Sequence, residues 1–399
     1  MAEQSTVETE LPKPELSIRD LLYSNAARGI AYQAILAFGV ILFGYFLYAN
    51  VSENLATQGI ATGFEFLEEK SGFDIGESVV AYDSADTYGR ALWVGILNTL
   101  NVAAWGIVLA TFLGVALGIA RVSSNWFAAK FSSTYVEVVR NVPVVLHVIF
   151  WAAFLRNLPG PRQSWTPFEG LYLNNRGLIF AAPVEHPLYT WVGLAFIVAV
   201  ITSFAFAHWA RRRRENTGRF VPVLWPVLGL LVGLPLVTWF VGGAPLVWDM
   251  PVFRGFNFVG GSSLTPEFVG LLIGITVYTA AFIAEIVRAG IQSVPTGQIE
   301  AARSLGLRPG WIMRYVTLPQ ALRVIVPPTT SQYLSLTKNS SLGVLIGYPD
   351  LANVGQTTLN QTGQAVEAIA IMMAVYLLIS LVISTCMNFY NRSIVVTER

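Results

Sequence analysis

The chain has one cysteine, Cys386, in 399 residues, with only four lysines and three histidines. A single cysteine excludes an internal disulfide framework and a cysteine-based metal site. The histidines (His147, His186 and His208) fall at no ligand spacing, so no metal site is expected. The lysines Lys13, Lys70, Lys130 and Lys338 follow no G-x-x-x-x-G pattern, so a phosphate-cradling loop for ATP is lacking. Charged residues make up only 12% of the chain, against about a quarter in soluble domains. The net charge of +1 gives no footprint for nucleic acid. What is abundant is apolar: 54% of residues are hydrophobic and the mean hydropathy is +0.56. Most of the chain is therefore expected in lipid.

Apolar runs of about 20 residues cross a bilayer as helices, because lipid offers the backbone no hydrogen-bond partners. Eight runs fit, near 30–49, 92–120, 136–157, 188–209, 221–242, 266–288, 323–347 and 366–389. The seventh carries Pro327, Pro328, Gln332, Lys338 and Asn339, and reads as a broken span. With the N-terminus inside, seventeen Lys and Arg residues fall on the cytoplasmic side and six on the other. That asymmetry predicts cytoplasmic N- and C-termini. Arg211 to Arg214 contribute four of the seventeen and read as a topology anchor after the fourth span. The first 29 residues are polar and mixed in charge, and read as a cytosolic tail rather than a signal peptide. The longest outer loop, 50–91, is expected to hold a short surface helix around Gly63 to Glu69. Two further outer loops, Leu158 to Pro187 and Gly242 to Pro266, read as connections too short for separate domains.

Glu300 to Pro319, EAARSLGLRPGWIMRYVTLP, is amphipathic and Arg-rich and lies between two apolar spans. Glu300, Ala301, Ala302 and Leu305 suit a short helix whose small residues allow close packing. Gly306 permits the sharp turn that ends it. Trp311, Ile312 and Tyr315 then recur at helical spacing before Leu318-Pro319. A small amphipathic helix laid into a groove is a common way to join two proteins. An ordinary cytoplasmic loop is the plainer alternative.

The spacing of that segment resembles the EAA coupling loop of ABC-importer permeases. Other stretches are similar to the same family. In EVVRNVPVVLHV, Glu137 to Val148, Arg140 and Pro143 match an R-G-T-P-L-L-V-Q signature, whereas Asn141, Val142 and His147 replace its Gly, Thr and Gln. YTAAFIAEIVRAG, Tyr278 to Gly290, is like A-Y-x-A-E-x-x-R-G-G. Gln320 to Asp350, and GILNTLN from Gly95 to Asn101, follow the family pattern too. The resemblance is to the histidine, glutamine and general L-amino-acid branch, over roughly 88–157 and 265–392. It looks most like the larger permease of the general L-amino-acid or glutamate/glutamine/aspartate/asparagine importers.

This resemblance implies an all-α membrane protein of about eight transmembrane helices: a type-I importer core of five, an extra N-terminal helix and an inserted hairpin. The expected layout is a cytoplasmic N-terminal tail at 1–29, the extra helix at 30–49, a periplasmic loop at 50–91 and the first core part at 92–157. The inserted region follows at 158–265. The second core part, 266–392, contains the coupling loop 298–319, and 393–399 is a cytoplasmic C-terminus. The resemblance further implies a bacterial inner-membrane permease that pairs with a second permease as a heterodimer. It would be driven by a dimeric ATP-binding subunit that alone carries ATP and Mg, and supplied with L-amino acids by a periplasmic binding protein. Glu300, Ala301, Ala302, Gly306, Leu318 and Pro319 would couple to the ATPase, and the chain itself would be no enzyme.

Intramembrane polar groups are costly and usually face a cavity or a partner. Glu285 and Arg288 lie one turn apart, as a packed or snorkelling pair or as part of a gate. Lys338-Asn339-Ser340-Ser341 supplies donors and acceptors suited to a zwitterion, or else caps a helix locally. His147 is either a satisfied interior histidine or a substrate contact. Thr276 and Thr279 are weaker candidates, since they can bond back along their own helix. A secondary transporter driven by an ion gradient is the alternative function; it calls for internal repeats and several intramembrane carboxylates, and Glu285 is the only acid well inside a span. A membrane-embedded enzyme would need a nucleophile–base or metal set that the scattered histidines and lone cysteine do not offer.

Overall fold

The structure is a computed structural model describing residues 25–57, 62–218 and 221–394. The predicted N-terminal tail lies outside the described residues up to residue 24, and the C-terminal segment from residue 395 onward. Twelve α-helices carry the described chain, with short strands confined to two connections. Helix α1, Asn25–Thr57, is followed by a 3-10 turn, Glu65–Glu68, then α2, Tyr88–Arg121. Helices α3, Trp126–Arg140, and α4, Val144–Arg156, are joined at a bend of 102°. Helices α5, Leu188–Thr217, and α6, Leu224–Val241, form a hairpin. Next come α7, Pro266–Gln292, α8, Thr296–Ser304, and α9, Pro309–Ile312. Helix α10, Leu318–Asn339, runs into a 3-10 stretch, Ser340–Ile346, before α11, Leu351–Thr362, and α12, Ala365–Ile394.

Six of these helices are long and apolar enough to cross a membrane, or seven counting the bent α3–α4 pair as one span. Two spans differ from the sequence expectation. The run at 136–157 is not a straight helix. Pro143 has no N–H to donate and biases Val142 away from helical backbone, so the chain turns at Asn141-Val142-Pro143. The run at 323–347 is helical from Leu318 straight through Pro327-Pro328, and breaks only at Ser340. Two prolines leave the carbonyls four residues back, Arg323 and Val324, without their usual partners. The helix nonetheless stays regular, with Thr329 and Thr330 donating to Ile325 and Val326 carbonyls at 2.7 and 3.1 Å.

Local signals set the ends of the core helices. Thr87 accepts from the Arg90 N–H at the start of α2, and Thr265 from the Phe268 N–H at the start of α7. Pro266 occupies the first turn of α7, where its missing N–H is no loss. The core is built on α7, which packs against α2, α4 and α10. Small residues bring these helices close. Gly114 and Gly118 of α2 sit so near Ile283 and Val287 that a methyl at either would lie 2.6 Å from the facing Cβ. Methyls at Gly270 and Gly274 of α7 would lie 2.8 and 2.9 Å from Cα of Ala152 and Val148 on α4. Glycine pairs four residues apart are a common device for packing helices in lipid, where no hydrophobic effect drives association.

The α5–α6 hairpin and α1 are different. In the most apolar window of α5 only 11% of the residues are buried, and in those of α1 and α6 none is. Such faces are the ones acyl chains cover.

The connections hold more structure than plain loops. Strands β1, Trp165–Phe168, β2, Leu171–Asn174, and β3, Gly177–Phe180, pair in antiparallel order, and β8, Ser262–Leu264, adds to β3 from the far side of the hairpin. Strands β4, Ala182–Pro183, and β5, Trp248–Asp249, form one small ladder; β6, Val252–Arg254, and β7, Asn257–Val259, form another. The short helix expected around Gly63 to Glu69 is present as the 3-10 turn Glu65–Glu68, held against the core on one side. Phe66 of the 3-10 turn is buried, and Leu67, Phe73, Ile75 and Tyr82 pack against α2 and α11.

Candidate functional site: the segment between α7 and α10 and the polar clusters of the core

The segment between α7 and α10 is a helix, a turn and a second short helix. Helix α8 ends in a Schellman motif: the Gly306 N–H donates to Arg303 O at 2.9 Å, and the Leu307 N–H to Ala302 O at 3.3 Å. Gly306 has φ +74°, the left-handed region that glycine occupies without strain. Helix α9 follows and passes through a wide turn, Met313–Thr317, into α10, with Leu318-Pro319 in its first turn. Three side chains, Ala302, Ile312 and Thr317, face inward and are buried. Much of the rest is presented outward: Glu300, Ala301 and Gly306 are exposed, as are Leu305, Trp311, Met313 and Tyr315. The Trp311 and Tyr315 rings lie 5.6 Å apart, with Arg314 over Tyr315. An anchored segment that leaves an apolar and aromatic face uncovered suits a protein partner.

Glu285 is enclosed by guanidinium groups. Oε2 accepts from Arg121, the last residue of α2, and lies 3.8 Å from Nη1 of Arg140, the last residue of α3. Oε1 accepts from Arg288, whose Nε is at 3.1 Å. The sequence paired Glu285 with Arg288 alone; Arg121 and Arg140 arrive only because α2 and α3 end beside α7. Arg140 also lies 5.0 Å over the Phe282 ring, which neighbours Tyr278 at 4.9 Å. His147 closes this row, 5.9 Å from Tyr278. Its Nε2 is 3.3 Å from the Val139 carbonyl, so the half-buried imidazole bridges the α3–α4 bend.

Lys338 to Ser341 are not part of that group. They end α10, about 30 Å from Leu318 at 1.5 Å per residue. Lys338 is exposed, and Asn339 and Ser341 are half-buried. Ser340 is wholly buried. The Ser340 and Ser341 hydroxyls donate to the Thr337 and Lys338 carbonyls, both at 2.7 Å, and cap the helix end.

A second buried cluster stands beyond this end, and the sequence reading did not mark it as a site. Asp350 is fully buried and caps α11, accepting from the Asn353 N–H at 2.9 Å and from the Tyr376 hydroxyl at 3.1 Å. Burial pushes its carboxyl up to about 6, against the opposing pull of those hydrogen bonds. Asn98 donates to the Glu77 and Pro349 carbonyls at 2.8 and 2.9 Å. Glu77 itself accepts from Thr265, and burial raises its carboxyl above the ordinary range. Arg156 binds Glu267 at 2.8 Å and the Ile346 carbonyl. Loop 62–87, α4, α7 and the 3-10 stretch are thus tied together. Asp350 followed by an apolar turn is a helix-cap signal visible in sequence; Glu77 gave none.

Comparison with known proteins places this arrangement. Residues 215–395 match the family described as binding-protein-dependent transport system inner membrane component. The chain is 46% identical, over the whole length of both, to the general L-amino acid transport system permease protein AapQ of Rhizobium johnstonii. The chain belongs to the ABC-importer permease family. It is 48% identical over 95% of its length to the putative amino-acid ABC transporter permease protein YhdX of Escherichia coli, covering 97% of that protein. It is 39% identical over 97% of its length to the glutamate/glutamine/aspartate/asparagine permease BztB of Rhodobacter capsulatus, covering 98% of it. The match to AapQ spans the residues of α1 and of the α5–α6 hairpin. The reading as an ion-gradient transporter is set aside.

Proposed function

We propose that this chain is the permease subunit of an ATP-driven importer of polar and general L-amino acids in a bacterial inner membrane. Its termini are cytoplasmic, as the seventeen-to-six distribution of Lys and Arg supports. A second, similar permease completes the translocation path as a heterodimer, and a periplasmic amino-acid-binding protein delivers substrate. A dimeric ATP-binding subunit, carrying ATP and Mg, docks on residues 298–319. The observation that carries this reading is the coupling segment: a helix stopped by Gly306, anchored through Ala302 and Ile312, with Trp311 and Tyr315 left outward. Glu300, Ala301, Leu318 and Pro319 frame that face. Closure of the ATPase dimer moves the segment and switches the core between two states, as alternating access requires.

Along the path, Lys338 and Asn339 offer donors for a substrate carboxylate, and His147 stands by the aromatic row at the α3–α4 bend. The test is co-purification of the tagged chain with an ATPase and a second permease. Stable recovery of all three supports the reading; a chain recovered alone from membranes in which the ATPase is abundant refutes it.

A further inference from the structure

We propose that Glu285 is a positioning residue that locks the ends of α2 and α3 to α7 and so carries motion of the coupling segment into the core. This rests on the function proposed above. Both carboxylate oxygens are engaged by cations: Arg121 from α2, Arg288 from α7 itself, and Arg140 from α3 at 3.8 Å. The Arg121 side chain is only 10% exposed, and its remaining contact is Ser133 of α3, with Nε 3.4 Å from the hydroxyl. Three guanidinium groups around one carboxylate repel an ammonium group, so Glu285 is poorly placed to hold the amino end of a substrate. It is well placed to hold helices.

The cluster also sits where force enters. Arg288 donates through Nη1 to Gln292 Oε1 at 2.7 Å, and Gln292 is the last residue of α7. Only Ser293, Val294 and Pro295 separate it from α8. Ser293 is fixed by its hydroxyl bond to Gly290 O at 2.8 Å, and Val294 is buried in the core. A hydrogen-bonded chain therefore runs from Ser133 through Arg121, Glu285 and Arg288 to Gln292, beside the coupling helix. Glu285→Gln keeps the shape but replaces one acceptor oxygen by an amide that donates toward the guanidinium groups.

The experiment compares wild type, Glu285→Gln and Glu285→Asp in the fully assembled importer in proteoliposomes, reading amino-acid uptake per ATP hydrolysed. The expected result is an ATPase rate within about twofold of wild type, with uptake per ATP at least tenfold lower in the Gln variant and partly restored in Asp. A wild-type ratio in Glu285→Gln overturns the proposal. Hydrogen exchange on the same samples provides a readout independent of transport: amides at the ends of α2 and α3 exchange faster in Glu285→Gln, and unchanged exchange counts against the lock. If the Gln variant does not assemble, Arg140→Gln removes the more exposed partner, and the same ratio and exchange decide. A wild-type complex without ATP-driven uptake sinks the proposed function, while the exchange result still judges the lock.

Discussion

Substitutions at Gly306 separate the shape of the coupling segment from every side-chain effect. An added Cβ at Gly306 meets nothing within 4 Å, so Gly306→Ala acts through the backbone alone. At φ +74° an L-residue costs about 1–2 kcal/mol, and about 1.4 kcal/mol is a tenfold change in an equilibrium constant. In the free permease the segment is exposed and can relax. The penalty therefore appears on docking, as an affinity for the ATPase roughly tenfold lower. Asn, which visits the left-handed region, should lose less. Gly306→Pro goes further, because proline fixes φ near −65° and removes the N–H that Arg303 O accepts at 2.9 Å. The motif then cannot form. Immunoblots of membranes should show normal abundance for all three variants, while binding of the purified ATPase falls in the order Gly, Asn, Ala, Pro, and ATP-driven uptake is lost in Pro. A Pro variant with wild-type docking and uptake would refute the assignment of this segment.

Other consequences follow from the same structure. Gly274→Leu drives a side chain into Val148, where even a methyl would lie 2.9 Å from Cα. Overpacking of this kind costs about 1–3 kcal/mol, so a lower melting temperature of the detergent-purified permease is expected, with Ala milder than Leu. Asp350, raised to about 6 by burial from an ordinary 3.8, binds its proton more tightly in the folded state. Its stabilisation is full below about pH 3.8 and is lost as pH rises through about 6, by up to about 3 kcal/mol. The melting temperature of wild type should therefore fall between pH 5 and pH 7.5 by more than that of Asp350→Asn; parallel curves would count against it. The purified chain alone should bind no ATP in a nucleotide-binding assay, because it carries no phosphate loop.

The apolar runs placed the long helices, with ends off by up to eight residues, because a span's length and hydrophobicity are properties of the local sequence. The turn that ends α8 was legible for a similar reason: Gly306 acts on its own backbone. In two spans the effect of proline depended on its context. Pro143 turned the chain, following a residue it holds out of helical backbone, whereas Pro327-Pro328 stayed inside α10. The strands at 165–180 and 262–264 were missed because β3 pairs with β8 across the whole α5–α6 hairpin, a partnership no local window contains. Glu285 shows the same limit. Arg288, one turn away, was visible as its partner, but Arg121 is 164 residues distant and had counted only as a topology charge.

Transport of amino acids by this chain is expected to depend on ATP spent by a separate motor. Its most direct test is uptake of labelled L-amino acids into proteoliposomes holding the purified chain, its second permease and the ATPase, with the binding protein supplied at the outer face. Uptake should require both ATP and binding protein, stop with vanadate and be indifferent to ionophores. Uptake that proceeds without ATP and collapses when an ionophore dissipates the ion gradient would contradict it.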